Sequence, residues 1–271
     1  MLPPTGTDLP WVHPVDVTPS LARQWLEHRN RRNRRLRPRV VATYARDMSQ
    51  GRWMENGETI KFASDGTLLD GQHRLEAVIT SGRTVRVLVV EGLPLAAQQT
   101  MDAGARRTTG DALSLQGERG TTVLAAVLRR LWMWERGDRR LAGVAPSTSE
   151  CAELLEQRPE VRASVEVAQH VRARFRHLPQ STCALAHCLF ARIDRSTADW
   201  FFARLADGAE LPPQHPVLTL RHRLTDEAVR PGTRSQERTL AYLIRAWNAV
   251  REGRSLARIQ HAPNAPMPEP L

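Results

Sequence analysis

Ile60-Lys61-Phe62-Ala63-Ser64-Asp65-Gly66-Thr67-Leu68-Leu69-Asp70-Gly71-Gln72-His73-Arg74 is the stretch whose reading decides the fold. Ile60 to Ala63 has the composition of a strand, Ser64-Asp65-Gly66 that of a tight turn, and Thr67 to Leu69 that of the returning strand. The chain then enters a helix at about Gly71, with Leu75, Val78 and Ile79 facing inward and Gly82 closing it. A helix start carries unpaired backbone N–H groups and the positive end of the helix dipole, and together they bind anions. Gly71 lacks the Cβ that would obstruct a phosphate. Gln72, His73 and Arg74 fall in the first turn, where they can add donors, and arginine can grip two phosphate oxygens at once. Asp70, at the strand end, suits a magnesium ion or the orientation of a neighbour.

Upstream, Thr18-Pro19 reads as an N-cap and first helical residue, with Leu21, Ala22, Trp25 and Leu26 as the apolar face. Seven arginines then occupy eleven positions: Arg29, Arg31, Arg32, Arg34, Arg35, Arg37 and Arg39. Pro38 opens a second helix bearing Val40, Val41, Tyr44, Ala45 and Met48. Downstream, Val85 to Val90 reads as a strand, followed by a short helix and the polar loop Asp102 to Gly110. The remainder is helical in pattern. Thr121 to Arg136 is strongly apolar; Ser147 to Glu150 and Ser196 to Asp199 resemble capping boxes; Gln236 to Glu252 is the last helix. Trp132 and Trp134 lie two apart and so cannot both face one side of a helix, while Trp200 and Trp247 read as core. The expected class is α+β. An extended segment, 1–16, precedes a small mixed domain, 17–117; an all-helical domain, 118–260, and a Pro-rich disordered tail, 261–271, follow.

The chain has 271 residues, 41% of them hydrophobic, which is enough to bury a core. No run of about 18 apolar residues exists, so no membrane partner is expected. The first ten residues lack the basic-then-apolar pattern of a signal peptide, which makes a cytoplasmic protein the default. Three cysteines do not make a disulfide framework. Cys183, His187 and Cys188 have no fourth ligand at zinc spacing, so no metal site is expected there. The net charge of +10 suits a polyanionic partner. Lys61 is the only lysine, however, and such an arginine bias is also what a GC-rich genome writes anywhere. Position is better evidence than number. The cluster from Arg29 to Arg39 repels itself without an anion, which marks Arg31, Arg32, Arg34 and Arg35 as nucleic-acid-binding candidates.

The segment from Ile60 to Ala77, with its Asp65-Gly66 turn and Asp70-Gly71-Gln72-His73-Arg74-Leu75-Glu76-Ala77, resembles the central motif of the ParB/sulfiredoxin superfamily, in the Asp-Gly-Gln-His-Arg variant common in phage and bacterial proteins. The resemblance covers roughly the first 115 residues. It implies a sulfiredoxin-like fold and a nucleoside triphosphate held with Mg2+, with His73 and Arg74 in the place of the family's phosphate-binding pair. Sulfiredoxins carry a reductant cysteine where this chain has Gln72, so redox chemistry is not implied. ParB proteins bind CTP and carry an Asn-x-Gln-Arg motif after the next strand and helix. Here that region reads Asp102 to Thr108, offering Arg106, Arg107 and Thr108 without the asparagine and glutamine. The helical half shows no clear helix-turn-helix.

Three readings follow. The first is a ParB-like nucleotide-binding, DNA-associated protein, encoded by a phage or mobile element. The second is an enzyme, a nucleotide hydrolase, phosphotransferase or nuclease, with Glu58 as general base and Asp70 assisting. The third is a non-catalytic interaction module. The oligomeric state stays open, a homodimer included.

Overall fold

The computed structural model describes residues 10–31, 33–101, 107–229, 235–262 and 265–271. The protein is mixed α+β, and the chain divides into two compact units. The first comprises Met1–Arg106 together with Val144–Ser149, and the second Arg107–Gly143 with Glu150–Leu271.

The first unit is built on a four-stranded mixed sheet of order β1-β4-β2-β3, from β1 (Trp11–Val17), β2 (Thr59–Ala63), β3 (Leu68–Asp70) and β4 (Val85–Leu93). The expected hairpin is β2 and β3, antiparallel with Lys61 opposite Asp70. β4 runs parallel to β2 and antiparallel to β1, with Val17 opposite Val85 and Val15 opposite Val87. Alternation along β4 places Val85, Val87 and Val89 in the core and Arg86 in solvent. The N-terminal stretch read as merely extended is therefore, from Trp11 onward, an edge strand. Its Pro14 is tolerated there because an edge strand leaves some backbone N–H groups unpaired.

Helices α1 (Pro19–Arg29), α2 (Pro38–Ser49) and α3 (Gln72–Ser81) complete this unit. Thr18 caps α1, its Oγ1 accepting the Leu21 N–H at 3.1 Å. The core joins Val41, Ala45 and Met48 of α2 and Leu75 and Val78 of α3 to Ile60, Phe62 and Leu68 of the sheet. Full burial of each large apolar side chain contributes about 1.5–3 kcal/mol. Trp25 meets Phe62 edge-on at 5.1 Å, while the Arg29 guanidinium lies 3.6 Å from the Phe62 ring centre.

The second unit contains α4 (Thr109–Leu115), α5 (Thr121–Glu135), α6 (Thr148–Gln157, whose first two residues belong to the first unit), α7 (Val161–Arg174), α8 (Gln180–Ala191), α9 (Arg195–Asp207), α10 (Pro216–Val229) and α11 (Gln236–Arg251). α8 is buried without interruption from Thr182 to Phe190, the pattern of a central helix. Phe190 stacks on Trp247 at 4.5 Å. The first unit was expected to run to residue 117, but α4 packs on α5 instead.

Four sequence expectations change here. Trp132 and Trp134 are both buried, because the guanidinium groups of Arg136 and Arg139 cover their outer faces at 3.7 and 4.3 Å. Trp200 is not core: it is 42% exposed and meets His215 edge-on. The start of α9 is capped by Asp194, which accepts the Thr197 N–H, so Asp199 is free for another contact. The Pro-rich tail, expected to be disordered, lies along α11. The Leu271 carbonyl accepts from Trp247 Nε1 and the Glu269 carbonyl from Asn248, each at 2.9 Å.

Candidate functional site

The turn from β3 into α3 is fixed by Gly71. Its φ of +106° is left-handed, and a Cβ there would stand 2.4 Å from Cδ1 and 3.3 Å from Cα of the core residue Ile60. Glycine is therefore required by the sheet packing against this turn. The space that a side chain would fill belongs to Ile60, not to a phosphate, which corrects the reason first given for this residue.

Asp70 gathers donors from three sides. Its Oδ1 accepts the Gly71 N–H at 2.7 Å, and its Oδ2 accepts from Lys61 Nζ at 3.2 Å and Arg74 Nη2 at 2.9 Å. Arg74 reaches on through Nη1 to Glu58 Oε2 at 3.3 Å. The four charges alternate and balance. Burial acts to raise the Asp70 pKa, but the Arg74 and Lys61 charges and the hydrogen bonds from Lys61 and Gly71 outweigh it and hold the carboxyl below its usual range. The Lys61 and Arg74 cations on its Oδ2 already balance the charge of the ionised Asp70. Arg74, 12% exposed at its side chain, is held by two carboxylates with which an incoming phosphate must compete. Glu58 is 64% exposed, and its contact is with Arg74.

Gln72 and His73 are buried and face the segment joining α1 to α2. Gln72 Nε2 donates to the Arg34 carbonyl at 2.7 Å, and its Oε1 accepts from Asn30 at 3.4 Å. His73 Nε2 accepts the Arg37 backbone N–H at 3.0 Å. Asn33 Nδ2 donates to the Leu68 carbonyl and to Asn30 Oδ1, each at 2.7 Å. Gln98 Nε2 bridges Asn33 Oδ1 and the Leu69 carbonyl, each at 3.1 Å. Arg29 closes the near end of the segment, donating to the Gly66 carbonyl at 2.8 Å and Glu91 at 3.1 Å. Neutral amides, one imidazole and Arg29 thus hold the loop by its backbone and asparagines.

That arrangement leaves the other arginines at the surface. Arg31, Arg34, Arg35, Arg37 and Arg39 are exposed. Arg31, Arg35 and Arg37 form no side-chain ion pair with any described residue. Arg32 lies outside the described residues, as do Asp102 to Arg106, which include the expected clamp residue Arg106. Arg107 is exposed. Thr108 lies in the second unit and caps α4 in a reciprocal box with Asp111: its Oγ1 accepts the Asp111 N–H at 3.2 Å, and its N–H donates to the Asp111 carboxylate at 2.7 Å. Its hydroxyl donates to the same carboxylate at 2.8 Å.

The second unit holds one constellation that sequence spacing did not expose. Ser164 on α7, His187 on α8 and Asp199 on α9 form a chain, with His187 Nδ1 2.9 Å from Ser164 Oγ and Nε2 2.8 Å from Asp199 Oδ1. The atoms have the order of a nucleophile–base–acid relay, but Ser164 and His187 are fully buried and no substrate reaches them. Burial lowers the His187 pKa, partly offset by Asp199. The set ties three helices together. Burial pushes the Cys188 thiol up to about 11 and Cys151 to about 12, so both are neutral thiols. No group of three or more His, Cys, Asp or Glu able to hold a metal occurs among the described residues, nor does a helix long and apolar enough to cross a membrane. No protein-family model, no curated protein and no solved structure matches the chain.

Proposed function

We propose that the chain is a nucleic-acid-binding protein of ParB-like type that grips a phosphate backbone with the arginine segment between α1 and α2. The observation that carries the proposal is the way this segment is held. Gln72, His73, Asn30, Asn33 and Gln98 anchor it, while Arg31, Arg35 and Arg37 stay exposed and unpaired among the described residues. Guanidinium groups exposed on an anchored backbone without carboxylates suit a polyanion, because phosphate contacts then release counterions without first breaking internal ion pairs. The likeness of the Asp70 to Arg74 segment to the ParB/sulfiredoxin motif supports the same reading, with Gln72 and His73 serving as the staple of the basic loop.

A nucleoside triphosphate with magnesium at Gly71 to Arg74 is the competing proposal. It requires Arg74 to leave Asp70 and Glu58, and Gln72 and His73 to leave the loop. A hydrolase, phosphotransferase or nuclease built on Glu58 and Asp70 requires those carboxylates to release Arg74. The geometry therefore favours backbone binding. The test is fluorescence anisotropy of a labelled 20-base-pair duplex at low salt, with wild type and Arg31→Gln/Arg35→Gln/Arg37→Gln. The proposal expects wild-type binding to a random sequence, weakened at least tenfold in the triple variant. Equal affinity in the two proteins, or no binding by wild type, counts against it.

A further inference from the structure

At the other end of α3 from Gly71, about 15 Å along a ten-residue helix, the first unit has an open cavity of about 440 Å³. Such a volume lies within the range of about 300–1,000 Å³ typical of small-ligand sites. Met48 and Val85 give it an apolar base, and Trp53 supplies an aromatic wall braced edge-on by Tyr44 at 5.4 Å. Arg83 and Arg86 line the same cavity. Both are exposed, and neither forms an ion pair with any described residue. Asp16 stands opposite Arg86 in the β1–β4 ladder, yet no ion pair joins them. Glu55, the one carboxylate in the lining, is likewise unpaired among described residues.

We propose that this cavity binds a nucleoside phosphate, with the base stacked on Trp53 and the phosphates held by Arg83 and Arg86. An indole face beside two uncommitted guanidinium groups matches a planar base joined to an anion. Stacking on an indole tolerates any base, and charge-assisted bonds to phosphate are the stronger kind. Glu55 provides an acceptor for ribose hydroxyls or an exocyclic amine, which inorganic phosphate cannot use. The cavity shares no residue with the basic loop, so this inference does not rest on the reading of that loop.

Isothermal titration of the full chain with ADP, CDP, GDP and UDP, and separately with inorganic phosphate, tests it. The proteins are wild type, Trp53→Leu, Arg83→Gln/Arg86→Gln and the triple variant of Arg31, Arg35 and Arg37. The expected result is binding of at least one nucleotide by wild type, weakened about tenfold or more by Trp53→Leu and by the Arg83/Arg86 pair, and unchanged in the loop variant. Because Arg83 and Arg86 are exposed, their variant keeps the test valid even if Trp53→Leu does not fold. Three results overturn the proposal: no nucleotide binds wild type, nucleotide affinity survives loss of both arginines, or phosphate alone binds as tightly as every nucleotide. Loss of nucleotide binding in the loop variant would move the site to the loop and overturn it as well.

Discussion

The backbone N–H of Arg37 donates to Nε2 of His73 at 3.0 Å, so a residue read as a ligand donor is instead an acceptor that fixes the loop above it. The Arg34 carbonyl, three residues earlier, is held the same way by Gln72. The two central side chains of Asp70-Gly71-Gln72-His73-Arg74 thereby couple the start of α3 to the most basic stretch of the chain.

Replacing His73 by Phe keeps a planar ring and removes the acceptor. The Arg37 N–H loses its acceptor, which costs about 0.5–1.5 kcal/mol. The expected outcome is a lower urea midpoint together with faster tryptic cleavage after the arginines between 31 and 37. A variant that is destabilised without faster cleavage there would show that His73 supports the fold but not the loop.

Gly71→Ala combines a positive-φ position with a Cβ 2.4 Å from Ile60 Cδ1. Strain and overpacking together predict a loss of about 2–4 kcal/mol. Adding Ile60→Val removes the clashing methyl, so the double variant regains part of the stability but not the part due to φ. Chemical unfolding of the three proteins reads this directly. Full recovery would mean that the backbone conformation is not strained for alanine.

The hairpin, the helix start and the α+β class were legible because each rests on local signals: alternation, the Asp65-Gly66 turn, and glycines at both ends of α3. What escaped was non-local. β1 is a strand because β4 lies beside it, and nothing within Trp11 to Val17 announces that partner. The four-charge chain from Glu58 to Lys61 depends on the register that sets Lys61 opposite Asp70. The inward turn of Gln72 and His73 could not be read from a motif whose residue types suit a phosphate equally well. Trp132 and Trp134 misled for a related reason: helix periodicity says which way a ring points, not whether an arginine from farther along the chain will cover it.

The Ser164–His187–Asp199 chain makes a pH prediction. Burial depresses the folded-state pKa of His187, while Asp199 opposes the shift and Arg195 adds to it. The unfolded chain therefore takes up a proton at a higher pH than the folded one. Stability from this group is intact above the ordinary histidine value of about 6.5 and falls as pH drops below it, by at most about 1.4 kcal/mol per pH unit for one proton. His187→Gln, which does not titrate, should show a flatter stability profile between pH 6.5 and 5. Parallel profiles for the two proteins would place the acid sensitivity elsewhere.

The central claim, that Arg31, Arg35 and Arg37 contact a phosphate backbone, is tested most directly by the dependence of duplex-DNA affinity on salt. Each phosphate neutralised contributes about −0.9 to the slope of log K against log salt. The account predicts a steep slope for wild type that becomes shallower by about 2 to 3 in Arg31→Gln/Arg35→Gln/Arg37→Gln, while the circular dichroism of the folded protein is unchanged. A slope identical in the two proteins would contradict it.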